Sequence, residues 1–230
     1  MYIIYNMKKK YIFVLCPPYQ GSTMIVNLLD SSKKVSTLLP MTRNGETQHF
    51  IRYFHDDIYY FNKWNPEYDL NIEYFKDILD NLLDNNASVF VEKSPPNICR
   101  AKKFEEYFSM FGEVHFIISI RNPYSTNYSA EKWVEYAKYQ KKNIESLSNT
   151  IVTSYENICL NLDNFISVIK EKFPELNDIH NRDNDICPSY ERLKKIHSEH
   201  INRVLDKEKK NTVLQKNLDL LNYFGYTIIE

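Results

Sequence analysis

Glycine occurs only four times in 230 residues, so a turn that carries one draws attention: Gly21, in YIFVLCPPYQGSTMIVNLL at residues 11–29. Cysteine is equally scarce. Cys16, Cys99, Cys159 and Cys187 are widely spaced and form no Cys-x-x-Cys pair, which excludes a zinc-ribbon pattern and a disulfide framework. Three of them lie inside apolar strand or helix patterns and read as buried free thiols. No histidines stand in a His-Glu-x-x-His spacing, so no metal is expected. The N-terminal MYIIYNMKKKYIFVLCPPY has no long apolar run before its prolines and resembles neither a signal peptide nor a membrane anchor, which predicts a cytoplasmic protein with no membrane segment. A surplus of charge is also missing. With 29 Lys and Arg against 30 Asp and Glu, the net charge of −1 argues against nucleic acid as a partner through bulk charge, so an anionic ligand must be held by a local site. There is no internal repeat and no low-complexity tract.

What is present is the material of one domain. Hydrophobic residues make up 43% of the chain and charged residues 26%, enough for a sizeable core. Short apolar, β-branched runs at 11–15, 34–39, 88–91, 114–120 and 150–154 read as strands covered on both faces. Between them lie helical stripes: Phe75, Ile78, Leu79, Leu82 and Leu83; Ile98, Ala101, Phe104 and Phe108; and Ile158, Leu162, Phe165, Ile166 and Ile169, closed by Pro174. Strand alternating with helix predicts an α/β protein of three layers, with a central, mainly parallel sheet of about five strands flanked by helices. Residues 40–70 mix aromatic and polar side chains without a clean period. They read as an excursion with short helices, of the kind that receives a substrate in α/β enzymes. Residues 175–190 read as a polar loop, and 190–230 as C-terminal helices and a closing tail.

In an open parallel sheet, ligands bind beyond the carboxyl ends of the strands. The unusual segments sit there: CPPYQGSTM after the first strand, EKSPPN after the third, RNPYSTNYS after the fourth and YEN after the fifth. Gly21-Ser22-Thr23 at a helix start can cradle an anion through backbone N–H groups, hydroxyls and the helix dipole, or can be a plain turn with a capping hydroxyl. The Gly-Lys-Ser/Thr of a Walker loop is missing. Arg121, directly after an apolar strand, can grip a phosphate through two parallel hydrogen bonds, with Ser129 adding a hydroxyl, or can pair with a carboxylate.

Together these segments resemble the sulfotransferases that use 3′-phosphoadenosine 5′-phosphosulfate (PAPS), over roughly residues 11–170 and in the same order. Pro18-Tyr19-Gln20-Gly21-Ser22-Thr23 resembles the family's Pro-(Lys/Arg)-Ser-Gly-Thr-Thr loop. The resemblance implies that Tyr19, Gln20, Gly21, Ser22, Thr23 and Met24 surround the 5′-phosphosulfate. Arg121, Pro123 and Ser129 match the family's Arg-x-Pro with a serine eight residues after the arginine, which implies that Arg121 and Ser129 hold the 3′-phosphate. SYEN at 154–157 is similar to a Tyr-Glu-Asp segment whose tyrosine lies near the adenine, here Tyr155. EKSPPN resembles a lysine-bearing segment of the Golgi-type branches. On this reading 1–230 is a single P-loop-like domain with its nucleotide-binding core at 11–170, PAPS is the co-substrate, and the acceptor is a hydroxyl on a small molecule, a glycan or a peptide.

The departure from the family is Tyr19, where the loop has Lys or Arg. Either Lys93 supplies the cation beside the transferring group or activity is weakened. For the base that takes the acceptor's proton, Glu46 in RNGETQHF resembles the Gly-Glu of the tyrosylprotein branch; His49 and Glu92 compete with it. Glu92 also reads as a structural partner of Lys93 or Arg100, and Arg43 and His55 as residues facing an acidic acceptor. A nucleotide-kinase-like phosphotransferase and a non-catalytic nucleotide-binding homologue are the alternatives.

Overall fold

The computed structural model describes residues 9–42, 44–54, 57–182, 192, 195, 198–199 and 207–229; Arg43, His55, Cys187 and much of the expected C-terminal helical stretch lie outside them. Five strands, β1 (Lys9–Leu15), β2 (Val35–Ser36), β3 (Val89–Glu92), β4 (Gly112–Ile120) and β5 (Thr150–Ser154), form one sheet in the order β2-β3-β1-β4-β5, every neighbouring pair parallel. The central β1 registers Ile12 on Val91 of β3 and Leu15 on Ile118 of β4.

Alternation along β1 divides the core in two. Tyr11, Phe13 and Leu15 face one apolar cluster, while Ile12, Val14 and Cys16 face another. The first is closed by Phe75, Ile78 and Leu79 of α4 (Ile72–Leu82) and by Phe104 and Phe108 of α5 (Ala101–Phe108). The second is closed by α1 (Ser22–Leu29), α7 (Tyr155–Leu160) and α8 (Leu162–Lys172). Two short helices, α2 (Gln48–Phe54) and α3 (Asp57–Asn62), occupy the excursion. The three layers expected from the sequence are present. Phe13, flanked by the rings of Phe104, Phe108 and Phe116 at 5.0–5.8 Å, is a position where truncation to alanine costs about 3–5 kcal/mol.

The structure departs from the sequence reading in three elements. The run 34–39 pairs only at Val35 and Ser36, because the Thr37 hydroxyl turns to Asp30 (2.7 Å) and accepts the Leu39 N–H (3.2 Å), folding the chain off the sheet edge. The stripe 158–169 is two helices, broken at Asn161 with φ −137° and ψ 48°. A long helix, α6 (Ala130–Ser146), which the apolar stripes did not mark, begins at Ser129, whose hydroxyl caps it by accepting the Lys132 N–H.

The buried face of α6 carries polar groups with work to do at the sheet's carboxyl edge. Gln140 Nε2 donates to the carbonyls of Leu15 (2.7 Å) and Ser119 (2.9 Å), satisfying both where β1 and β4 part. Against the other side of α6 pack α9 (Lys207–Gln215) and α10 (Leu218–Tyr223), with Leu214, Leu220 and Leu221 around Trp133. Among the described residues no helix is long and apolar enough to cross a membrane.

Candidate active site

The loop from β1 into α1 is built on two left-handed residues. Gly21 has φ 92°, and a Cβ there would stand 2.6 Å from Cδ2 of Tyr155, so only glycine admits that ring. Tyr19 has φ 60°, a costly conformation for a bulky residue, and its side chain is 79% exposed. Arg121, at the end of β4, supports the loop: Nη1 donates to the Tyr19 carbonyl (3.3 Å), Nε to Ser125 Oγ (3.0 Å), and the guanidinium lies 4.1 Å from the Tyr155 ring centre. Gly21, Tyr155 and Arg121 therefore meet at one edge of the sheet. Gln20 is buried and donates to the Tyr128 hydroxyl, and Met24 is buried in α1. Ser129 lies elsewhere, lining a cavity of about 130 Å³ with Asn127, Lys209 and Lys210. Sequence reading missed these two lysines of α9; about eighty residues of chain separate them from Ser129, and nothing in their local pattern marks them.

Lys93 leaves the end of β3 and points into the excursion. Its buried ammonium donates to Thr23 Oγ1 (2.8 Å) and to Glu46 Oε1 (2.9 Å). The second oxygen of Glu46 is 3.3 Å from His49 Nε2 and accepts from the Gln48 side-chain amide. The ammonium, the loop hydroxyl, the carboxylate and the imidazole thus form one chain of contacts.

Glu92 holds that chain in place from behind. It is buried and accepts the backbone N–H groups of Thr47 (3.2 Å) and Ser94 (3.1 Å), the Ser94 hydroxyl and the Asn97 amide; Ser94 Oγ accepts the Gln48 N–H (3.1 Å). Burial pushes its carboxyl up to about 7, with the surrounding donors pulling the other way. The expected pairing of Glu92 with Lys93 or Arg100 is not what forms. Lys93 takes Glu46, and Arg100 spends its fork on the carbonyls of Lys63 (2.9 Å) and Asn65 (3.0 Å). Each finds a better-placed partner, since Glu92 is already saturated by four donors.

A cavity of about 430 Å³ gathers these groups. Tyr19, Gly21, Ser22 and Thr23 of the loop line it together with Lys93, Glu46 and His49, and the aromatic Trp64 and Tyr136 line it as well. Arg121 and Tyr155 pack against the Gly21 loop from behind this cavity; neither they nor Ser129 are among its lining residues. No group of three or more His, Cys, Asp or Glu side chains suited to a metal ion occurs among the described residues.

No protein-family model matches the chain, and no curated protein matches its sequence. Solved structures do match. The sulfotransferase domain from the curacin biosynthetic pathway superposes with a TM-score of 0.57 at 14% identity, covering 96% of this chain and 99% of that one. The chain has a sulfotransferase fold. Sulfotransferase STF1 from Mycobacterium tuberculosis H37Rv follows at a TM-score of 0.46 and 11% identity, covering 95% of this chain and 77% of that one. Retinol dehydratase, in a complex with retinol and PAP, has a TM-score of 0.38 and 12% identity, with 97% and 85% covered. Within this sulfotransferase fold, the Gly21 loop, Lys93 and Arg121 all sit at the carboxyl edge of the sheet, where the strand order sends the connections after β1 and β4 to opposite sides.

Proposed function

We propose that the chain transfers a sulfuryl group from PAPS to an acceptor hydroxyl. The observation that carries this reading is Lys93, held between Thr23 of the glycine loop and Glu46 of the excursion in one cavity. The donor set fits a phosphosulfate: a buried ammonium, a hydroxyl and the first-turn amides of α1 suit its negative oxygens. In the reaction, the acceptor oxygen bonds to sulfur as the bond from sulfur to the phosphate oxygen breaks, and the electron pair leaves on that oxygen. Glu46 receives the acceptor's proton. Lys93 and Thr23 stabilise the charge that develops on the leaving oxygen, a role whose loss typically costs about 3–4 kcal/mol in the barrier. Arg121 and Tyr155 shape the far end, where the 3′-phosphate and adenine bind, with Ser129 contributing from the start of α6. His49, bonded to Glu46, relays or orients its proton.

A second reading rests on Tyr19, which replaces the loop cation with an exposed neutral ring: a homologue that binds the nucleotide and transfers nothing. Thermal shifts separate the possibilities. With 3′,5′-adenosine bisphosphate (PAP) at about a hundred times its dissociation constant, the gain is roughly 2.7 kcal/mol; ADP, and ATP with magnesium, should give much less. Equal or greater stabilisation by ATP refutes the proposal. Labelled PAPS then distinguishes transfer from binding alone.

A further inference from the structure

The wall of the cavity beyond Glu46 is assembled with more care than a solvent-facing loop requires. Trp64 packs on Tyr136 of α6 with ring centres 4.9 Å apart and planes inclined by 37°. Lys132 Nζ lies 5.0 Å from the Tyr136 ring centre and 5.7 Å from that of Trp64, fixing both rings from one side. Tyr128 meets Tyr136 edge-on at 5.6 Å. The backbone is fixed as well: the buried Arg100 guanidinium bonds the carbonyls on either side of Trp64, and Cys99 Sγ reaches the Trp64 carbonyl at 3.7 Å. Burying a guanidinium is costly, and here its two terminal nitrogens hold the backbone on either side of one half-buried tryptophan in a cavity wall.

The same cavity is also lined by the polar side chains of Asn44, Gln48 and His49. A planar phenol buried in a slot is best served by apolar surface on both faces. A sugar ring instead presents an apolar C–H face and a rim of hydroxyls, which matches a cavity that offers both an aromatic wall and hydrogen-bonding groups.

We infer that Trp64, backed by the buried Tyr136, forms the acceptor platform, and that the acceptor is a carbohydrate whose ring lies on it with one hydroxyl directed at Glu46. This inference rests on the sulfotransferase reading above. Trp64 is a binding residue that makes no contact with the donor.

The full-length chain, saturated with PAP, is titrated with methyl glycosides of glucose, galactose, N-acetylglucosamine and glucuronic acid, and in parallel with p-nitrophenol and N-acetyltyrosinamide. Tryptophan emission is followed; Trp133 is fully buried, so a response reports Trp64. Initial rates with labelled PAPS are measured on the same panel. At least one glycoside should quench emission and be sulfated. Trp64→Ala should raise its KM at least tenfold, leaving kcat and PAP affinity within about twofold, with Trp64→Phe partly restoring KM. Preference for the phenols, absence of any response to the glycosides, or an unchanged KM in Trp64→Ala overturns the inference while PAP binding leaves the sulfotransferase reading standing. Failure to bind PAP overturns both.

Discussion

Replacing Lys93 by methionine probes the ion pair at the centre of the cavity. The Lys93 and Glu46 side chains are only 3% and 7% exposed and meet at 2.9 Å. Breaking a buried pair from one side leaves a stranded charge, at a cost of about 3–5 kcal/mol. Glu46 would keep Gln48 and the half-exposed His49, so Lys93→Met should fall at the lower end, about 3 kcal/mol. Against a total stability of about 5–15 kcal/mol this is severe but survivable. Glu46→Gln strands the ammonium with the Thr23 hydroxyl and an amide oxygen, and should cost a similar amount. The double variant removes both charges, so its cost should fall short of the sum by at least about 2 kcal/mol. Urea unfolding at pH 7 reads all four corners of the cycle, with an unchanged m-value confirming that the denatured state is comparable. Additive losses, or single variants within about 1 kcal/mol of the parent, would refute the argument that this pair is buried and mutually dependent. In turnover, Lys93→Met should lower kcat by about 10²–10³ while PAP still binds.

Glu92 makes stability depend on pH. Its carboxyl is raised from the ordinary 4.5 to about 7 by burial, so the folded chain binds the extra proton between those values. Its contribution is greatest below pH 4.5 and is lost as pH rises to 7, by about 3 kcal/mol; Glu92→Gln should lack this slope in urea unfolding at pH 5 and pH 8. A parallel slope in both proteins would refute the assignment. Gly21→Ala forces a Cβ against Tyr155 at φ 92°. It should destabilise by about 1–3 kcal/mol, and calorimetry should show PAP affinity falling at least tenfold, because the displaced ring is the one that carries Arg121. Unchanged affinity would separate that stack from the nucleotide site.

The sheet was legible because its strands are short, apolar and β-branched; residues 150–154 form β5 as expected, and 114–120 form most of β4. The long helix α6 was not recognised, because its buried face includes Gln140 and Asn143, polar residues that spoil an apolar stripe yet satisfy carbonyls of Leu15, Ser119 and Ile98. The convergence of segments at the strand ends followed from parallel topology. What stayed hidden was who pairs with whom. Lys93 and Glu46 lie 47 residues apart, and the partners of Arg100 are backbone carbonyls, which any sequence supplies and none advertises.

The segment from Glu92 to Arg100 delivers Lys93 and fastens the excursion at two points, Thr47 through Glu92 and the flanks of Trp64 through Arg100. Between those moorings Phe61 is exposed, whereas Ile51 and Tyr59 belong to the core and His49 meets Glu46. Retargeting this scaffold therefore begins at the side chains of Phe61 and Trp64, with both moorings, His49 and the core left in place.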